Sequence, residues 1–134
     1  MTGKIFDSAI TTVRKSLDLR LKQHGLVTSN LANADTPGFQ AKRIDFRSAF
    51  ERILLQDNSS QMRRNDGRHI DGLPEGRAPV ETIEAPSWSE DGNSVIGEAE
   101  MAVLVSNNLV YNASVEALSR KLALLKYAAS DGGR

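Results

Sequence analysis

Residues 101–129 read MAVLVSNNLVYNASVEALSRKLALLKYAA, and the spacing of their apolar side chains decides the fold class. Met101, Leu104, Asn108, Tyr111, Val115, Leu118, Leu122, Leu125 and Ala129 recur at alternating steps of three and four, and only Asn108 is polar. Such a row is the a/d stripe of a helix that packs along one side. Val103, Val105, Leu109, Val110 and Leu124 lie off the row. A helix apolar on more than one face is buried on more than one face, so a single neighbouring helix leaves part of this surface uncovered. Glu98 and Glu100 near its start, and Lys121 and Lys126 near its end, suit the helix dipole. Gly132 and Gly133 stop it.

Working outward, the matching element is at the other end of the chain. Phe6, Ile10, Val13, Leu17, Arg20, His24, Val27 and Leu31 follow the same four-three spacing. Each helix would be about 40 Å long at 1.5 Å per residue. Gly25 interrupts the first at a cost of about 1 kcal/mol relative to Ala and would mark close packing or a bend. The two stripes predict a mainly α fold, with the terminal helices paired as a coiled-coil-like hairpin. A short helix and an irregular or extended insertion complete it.

Between the helices, Asn33 is placed to end the first in a left-handed conformation. Thr36-Pro37-Gly38-Phe39 has Pro second and Gly third, the pattern of a type II turn. Residues 39–45 read as extended. Phe46, Phe50, Ile53 and Leu54 repeat at helical spacing, so a short helix is expected over about 45–56. Residues 56–94 carry four basic and eight acidic side chains, three of the four prolines, and only eight apolar residues among 39. They can bury little surface, and Pro79 and Pro86 keep any strand near Val80–Ile83 off a sheet centre. The expected organisation is a first helix over 1–32, a turn, extended piece and short helix over 33–56, an irregular or mobile insertion over 57–94, and a last helix over 95–130.

The chain has 134 residues, 17 basic and 17 acidic side chains, and no Cys. One domain fits that length. Neutrality argues against a nucleic-acid coat, and the absence of Cys excludes disulfides and thiolate metal sites. The longest apolar run is five residues, Met101–Val105, far short of the roughly 20 that span a bilayer. No cleavable signal is visible, because Asp7 interrupts the apolar stretch 5–13 and Arg14 and Lys15 follow it. No catalytic constellation, phosphate-binding glycine loop or paired-His metal motif occurs, so neither an enzyme nor a cofactor is expected. His24 reads as a packed helix residue and His69 as solvated. The scattered carboxylates Asp66, Asp71, Glu75, Glu90 and Asp91, and the basic pairs Lys42-Arg43 and Arg63-Arg64, read as surface charge. Trp88, in a Pro/Ser-rich loop, is either a docking anchor or packs back on its own helices.

Asn30-Leu31-Ala32-Asn33-Ala34-Asp35-Thr36-Pro37-Gly38-Phe39 resembles the signature N-I-A-N-x-x-T-x-G-[FY] of bacterial flagellar rod and hook proteins. Leu31 stands for the usual Ile and Phe39 for the commoner Tyr. Phe46 matches an aromatic that the family favours, and the apolar C-terminal helix matches as well. The resemblance covers residues 1–55 and 90–130. A segment of 39 residues cannot hold the large β-rich domain of hook and distal rod proteins, which favours a proximal rod subunit.

The resemblance implies a structural subunit exported by the flagellar type III apparatus without a cleaved signal. Such a subunit stacks helically into the hollow periplasmic shaft that serves motility. Its partners would be copies of itself, other rod proteins, and MS-ring and export-gate components at the rod base, with no nucleic acid and no direct membrane span. It makes Asn30, Asn33, Thr36, Pro37, Gly38, Phe39 and Phe46 the expected turn and subunit contacts. The seam residues are Phe6, Ile10, Val13, Leu17, Val27, Leu31, Met101, Leu104, Asn108, Tyr111, Val115, Leu118, Leu122 and Leu125. The alternative is a soluble helical-hairpin adaptor or secretion chaperone that binds a partner helix.

Overall fold

The computed structural model describes residues 2–58 and 79–131, with side chains over 8–55 and 79–130. Its elements in chain order are α1 (Thr2–Ala32), β1 (Lys42–Arg43), α2 (Phe46–Asn58), β2 (Glu81–Thr82) and α3 (Gly97–Asp131). The architecture is mainly α. α1 packs along α3, α2 packs on α1, and β1 pairs antiparallel with β2 with Lys42 opposite Thr82. Asn30 meets Glu100, and ten residues earlier Arg20 meets Asn107, so α1 and α3 run antiparallel. No helix among the described residues is long and apolar enough to cross a membrane.

The buried side of α3 is offset from the expected stripe. Leu104, Tyr111, Leu118 and Leu125 are partly buried as the spacing predicts, but the row beside them is Glu100, Asn107, Ser114 and Lys121. Met101, Asn108, Val115 and Leu122, each one residue later, are exposed, and so are Val105, Leu109 and Leu124. Consecutive residues point about 100° apart on a helix, so the shared row has a polar flank on one side and an apolar flank on the other. The polar flank turns inward because α1 and β1 offer hydrogen-bond partners at that level. Buried polar groups must be paired, and that outweighs the gain from a few more apolar contacts. The apolar flank of α3 therefore stays outside.

Among the described residues the hydrophobic core lies where α2 folds back on α1. Leu19, Ile44 and Ala49 are buried there, against Leu26, Phe46, Phe50 and Ile53. Leu19 lies off the expected α1 stripe. A second neighbour, α2, widens the buried face of α1, and a stripe computed for one partner omits it. Within that stripe Val27 is buried and Ile10, Val13, Leu17, Arg20, His24 and Leu31 are half-buried. The Phe6 side chain, and the expected features at Arg63, Arg64, Asp66, His69, Asp71, Glu75, Gly132 and Gly133, lie outside the described residues.

Several local expectations change. Among the described residues no non-glycine residue has a positive φ, so Asn33 does not end α1 in the left-handed region. The helix tightens instead, with Asn33 N–H donating to the Asn30 carbonyl at 3.0 Å and Ala34 N–H to Leu31 at 3.2 Å. α3 runs on to Asp131 with no basic residue in its last turn, which leaves Lys121 and Lys126 too early to cap the dipole. Gly25 is exposed, and a Cβ built there meets nothing within 4 Å, so close packing is not its purpose. Gly25→Ala should stabilise the chain by about 0.5–1 kcal/mol, read as a higher thermal midpoint in circular dichroism.

Candidate functional site

The segment after α1 is held by a second segment from the far side of the sequence. Phe39 N–H donates to the Thr36 carbonyl at 3.2 Å, closing a turn with Pro37 and Gly38 at its centre. Gly38 has φ +70°, as the third position of a type II turn requires. Nothing lies within 4 Å of a Cβ built on Gly38, so a side chain there would strain the backbone without a clash. Gly38 N–H donates to the Asp91 carbonyl at 2.8 Å, and Ser94 N–H to the Phe39 carbonyl at 3.0 Å. Ala41 N–H donates to Ser94 Oγ at 2.7 Å. Gly92 has φ +71°, and a Cβ built on it would lie 3.7 Å from Gly38 Cα.

Asn93 is the pivot of this contact. It is buried, and its Nδ2 lies 3.0 Å from the Asn33 carbonyl, 2.7 Å from that of Ala34 and 3.0 Å from that of Thr36. Its Oδ1 accepts from Val95 N–H at 2.7 Å. One amide thus gathers three carbonyls just beyond the end of α1 and fixes the chain entering α3. Asp91 shapes the loop that presents it, with Oδ1 accepting from Asn93 N–H at 3.0 Å and from Ser89 Oγ at 2.9 Å.

Those bonds, led by the Asn93 N–H, hold the Asp91 carboxyl below its ordinary range. The ionised form is the one bonded, so this contribution is complete above the unfolded pKa and is lost as pH falls through the lower folded value. An NMR titration should place the Asp91 carboxyl below a free Asp, and Asp91→Asn should remove that acid-side sensitivity of the turn.

A second polar cluster ties the same turn to the helix pair. The Asn30 side chain pairs with the Lys42 backbone, Nδ2 to the carbonyl at 2.9 Å and Oδ1 from the N–H at 3.0 Å. Nδ2 also reaches Glu100 Oε2 at 3.1 Å, and Arg43 Nη2 reaches Glu100 Oε1 at 3.0 Å. Asn30 is 1% exposed, and the Glu100 side chain is 3% exposed. Glu100 is therefore a buried carboxylate held by an amide and a guanidinium, rather than a dipole-facing surface charge. α1, β1 and α3 meet at these three residues.

The comparisons with known proteins point to the same segment. A family model described as flagella basal body rod protein matches residues 25–40. The flagellar basal body rod protein FlgB of Yersinia enterocolitica is 30% identical over 130 residues, covering 87% of this chain and 89% of that protein. That of Bacillus subtilis is 28% identical over 131 residues, with 96% and 98% covered. That of Escherichia coli is 30% identical over 122 residues, with 87% and 88% covered.

The chain belongs to the flagellar basal body rod family.

It is a structural subunit of the basal body rod and not an enzyme. The signature residues of this rod subunit fall into two groups. Asn30 is buried, and half-buried Asn33 bonds locally: its Nδ2 donates to the Ser29 carbonyl at 2.8 Å, and its Oδ1 accepts from Thr36 Oγ1 at 3.2 Å. Thr36, Pro37 and Gly38 are exposed, with Phe39 half-buried. Phe46 lies apart from the turn, stacked on Phe50 at 5.8 Å between centroids. Sequence reasoning did not find Asn93, Arg43 and Glu100 as the residues that lock the turn. The available signal was the polar Glu100 and Asn107, seven residues apart, flanking the apolar row of α3.

Proposed function

We propose that this rod subunit occupies the proximal part of the shaft. It leaves the cytoplasm through the flagellar type III apparatus without a cleaved signal and adds to a helical assembly in the periplasm. Its neighbours there are further copies of itself, other rod proteins, and MS-ring and export-gate components at the rod base. One observation carries this reading. α3 turns its polar flank inward and leaves Met101, Val105, Val115 and Leu122 exposed along a long helix. Such a surface needs neighbours, and a contact between two different faces of identical subunits propagates into a helix or ring. The locked turn would hold the helix pair at a fixed angle to the segment that follows. In this reading the exposed Thr36, Pro37 and Gly38 meet adjacent subunits, and the terminal helices form one unit on which α2 is folded back.

The test is complementation of a flagellated strain lacking its own copy. The wild-type chain should restore swimming and be recovered in purified basal bodies. Gly38→Val should lower both severalfold, because a β-branched residue at φ +70° strains the backbone by about 1–3 kcal/mol. A chain that stays in the cytoplasm while other rod proteins are exported would point to the adaptor function instead.

A further inference from the structure

Arg20 carries the one buried side-chain polar atom without a hydrogen-bond partner among the described residues, its Nε. Nη1 donates to Asn107 Oδ1 at 3.2 Å, Asn107 Nδ2 donates back to the Arg20 carbonyl at 2.9 Å, and the guanidinium carbon sits 4.2 Å from the centroid of the Phe46 ring. The ion pairs Arg43–Glu100, Arg47–Glu51 and Arg120–Glu116 leave it out. Burial also pushes its pKa below the ordinary arginine value, as expected for a cation that has lost water and gained no counter-charge. The group lines a groove of about 390 Å³ with Gln23, Phe46, Ala102, Val103 and Ser106. Among the described residues no carboxylate lines it.

The complementary feature is on the same chain, away from this groove. Trp88 is the sole Trp and is 70% exposed, in a turn closed by Ser89 N–H donating to the Pro86 carbonyl at 2.9 Å. Exposed Glu84 and Glu90 flank it. Ser89, Asp91 and Asn93 fix the base of this loop, so it is presented in one shape and little ordering is needed on contact. An aromatic anchor between carboxylates suits a groove with an aromatic floor and a guanidinium that none of these ion pairs includes. Trp and Arg are the residue types that dominate contact energies, and an Arg–carboxylate bond is among the strong ones.

We propose that this groove takes residues 84–90 of a second copy of the chain, with Glu84 or Glu90 set against the Arg20 guanidinium and the Trp88 ring against Phe46 and Val103. The contact joins two different faces and so continues from copy to copy. The proposal rests on the rod function and adds one self-contact to it.

The sole Trp makes the test direct. Sedimentation velocity and Trp emission are followed together over a concentration series of the full chain. Association should coincide with a shift of emission to shorter wavelength. Arg20→Met and Trp88→Ala should each weaken association at least about tenfold, and Arg20→Met should also abolish the shift. Gln23→Glu supplies a carboxylate beside Arg20 within the same chain, so it should weaken association while helicity and thermal midpoint hold, which separates loss of contact from loss of fold. Association with unshifted emission, variants that associate as tightly as wild type, or a wild type that stays monomeric to hundreds of micromolar would each overturn the contact. Basal-body incorporation separates the two levels. Groove variants that enter the rod normally overturn this contact and leave the rod function standing, whereas a wild-type chain absent from basal bodies removes the rod function itself.

Discussion

Asn93→Ala should destabilise the chain by about 2–4 kcal/mol, one of the two largest effects expected of a single polar substitution here. The substitution removes the donors shared by the carbonyls of Asn33, Ala34 and Thr36, and the acceptor of Val95 N–H. Asn93 is buried, so water does not simply take its place; the Asn33 and Thr36 carbonyls keep the Thr36 and Phe39 N–H groups, but the Ala34 carbonyl and Val95 N–H lose their partner at about 1–3 kcal/mol each. Chemical denaturation followed at 222 nm should give a lower midpoint with little change in slope. Asn93→Asp is the sharper control, because it keeps size and the Val95 acceptor but turns a carboxylate toward three carbonyl oxygens. It should lose at least as much as Asn93→Ala at neutral pH. A loss within a few tenths of a kcal/mol for both would mean that the end of α1 is held by its own backbone bonds, and that residues 91–94 merely lie beside it.

The long helices were legible because periodicity reports an apolar face directly. The turn was legible because Pro37 and Gly38 each permit few backbone conformations, and Gly38 has the positive φ that its position required. The segment that holds the turn was not legible. Residues 79–94 are poor in apolar side chains and so read as part of an irregular insertion, yet they fix the turn almost wholly through polar groups. Hydrogen bonds from Asn93, Ser94 and Asp91 leave no periodic trace in a sequence. For the same reason the inward flank of α3 was misplaced by one residue. Apolar spacing selects Met101 and Val115, whereas Asn30, Arg43 and Arg20 select Glu100 and Asn107. What the spacing does report is surface needing cover, and part of that cover lies outside a single chain. Sequence patterning therefore described the assembled helix face more directly than the fold of one subunit.

Asn30→Ala should cost about 2–4 kcal/mol, and Asn30→Asp should cost more. The alanine variant leaves both backbone groups of Lys42 unpaired and removes one of the two groups holding the Glu100 carboxylate. In the aspartate variant a second carboxylate replaces the donor 3.1 Å from Glu100 Oε2, so like charges face each other where water is scarce. Arg43 is half exposed and already bonded to the other oxygen, and one guanidinium cannot neutralise two buried carboxylates. Repulsion raises the carboxyl pKa values in the folded state, so the deficit should shrink as pH falls through the carboxylate range and grow as it rises. The double variant Asn30→Asp with Glu100→Gln restores a donor across the same gap. It should recover about 1–3 kcal/mol relative to the sum of the two single changes. Urea unfolding of the four proteins at pH 7 measures that coupling, and repeating it near pH 4 tests the sign. Strict additivity would mean that Asn30 serves only the Lys42 backbone, and that β1 is joined to Glu100 through Arg43.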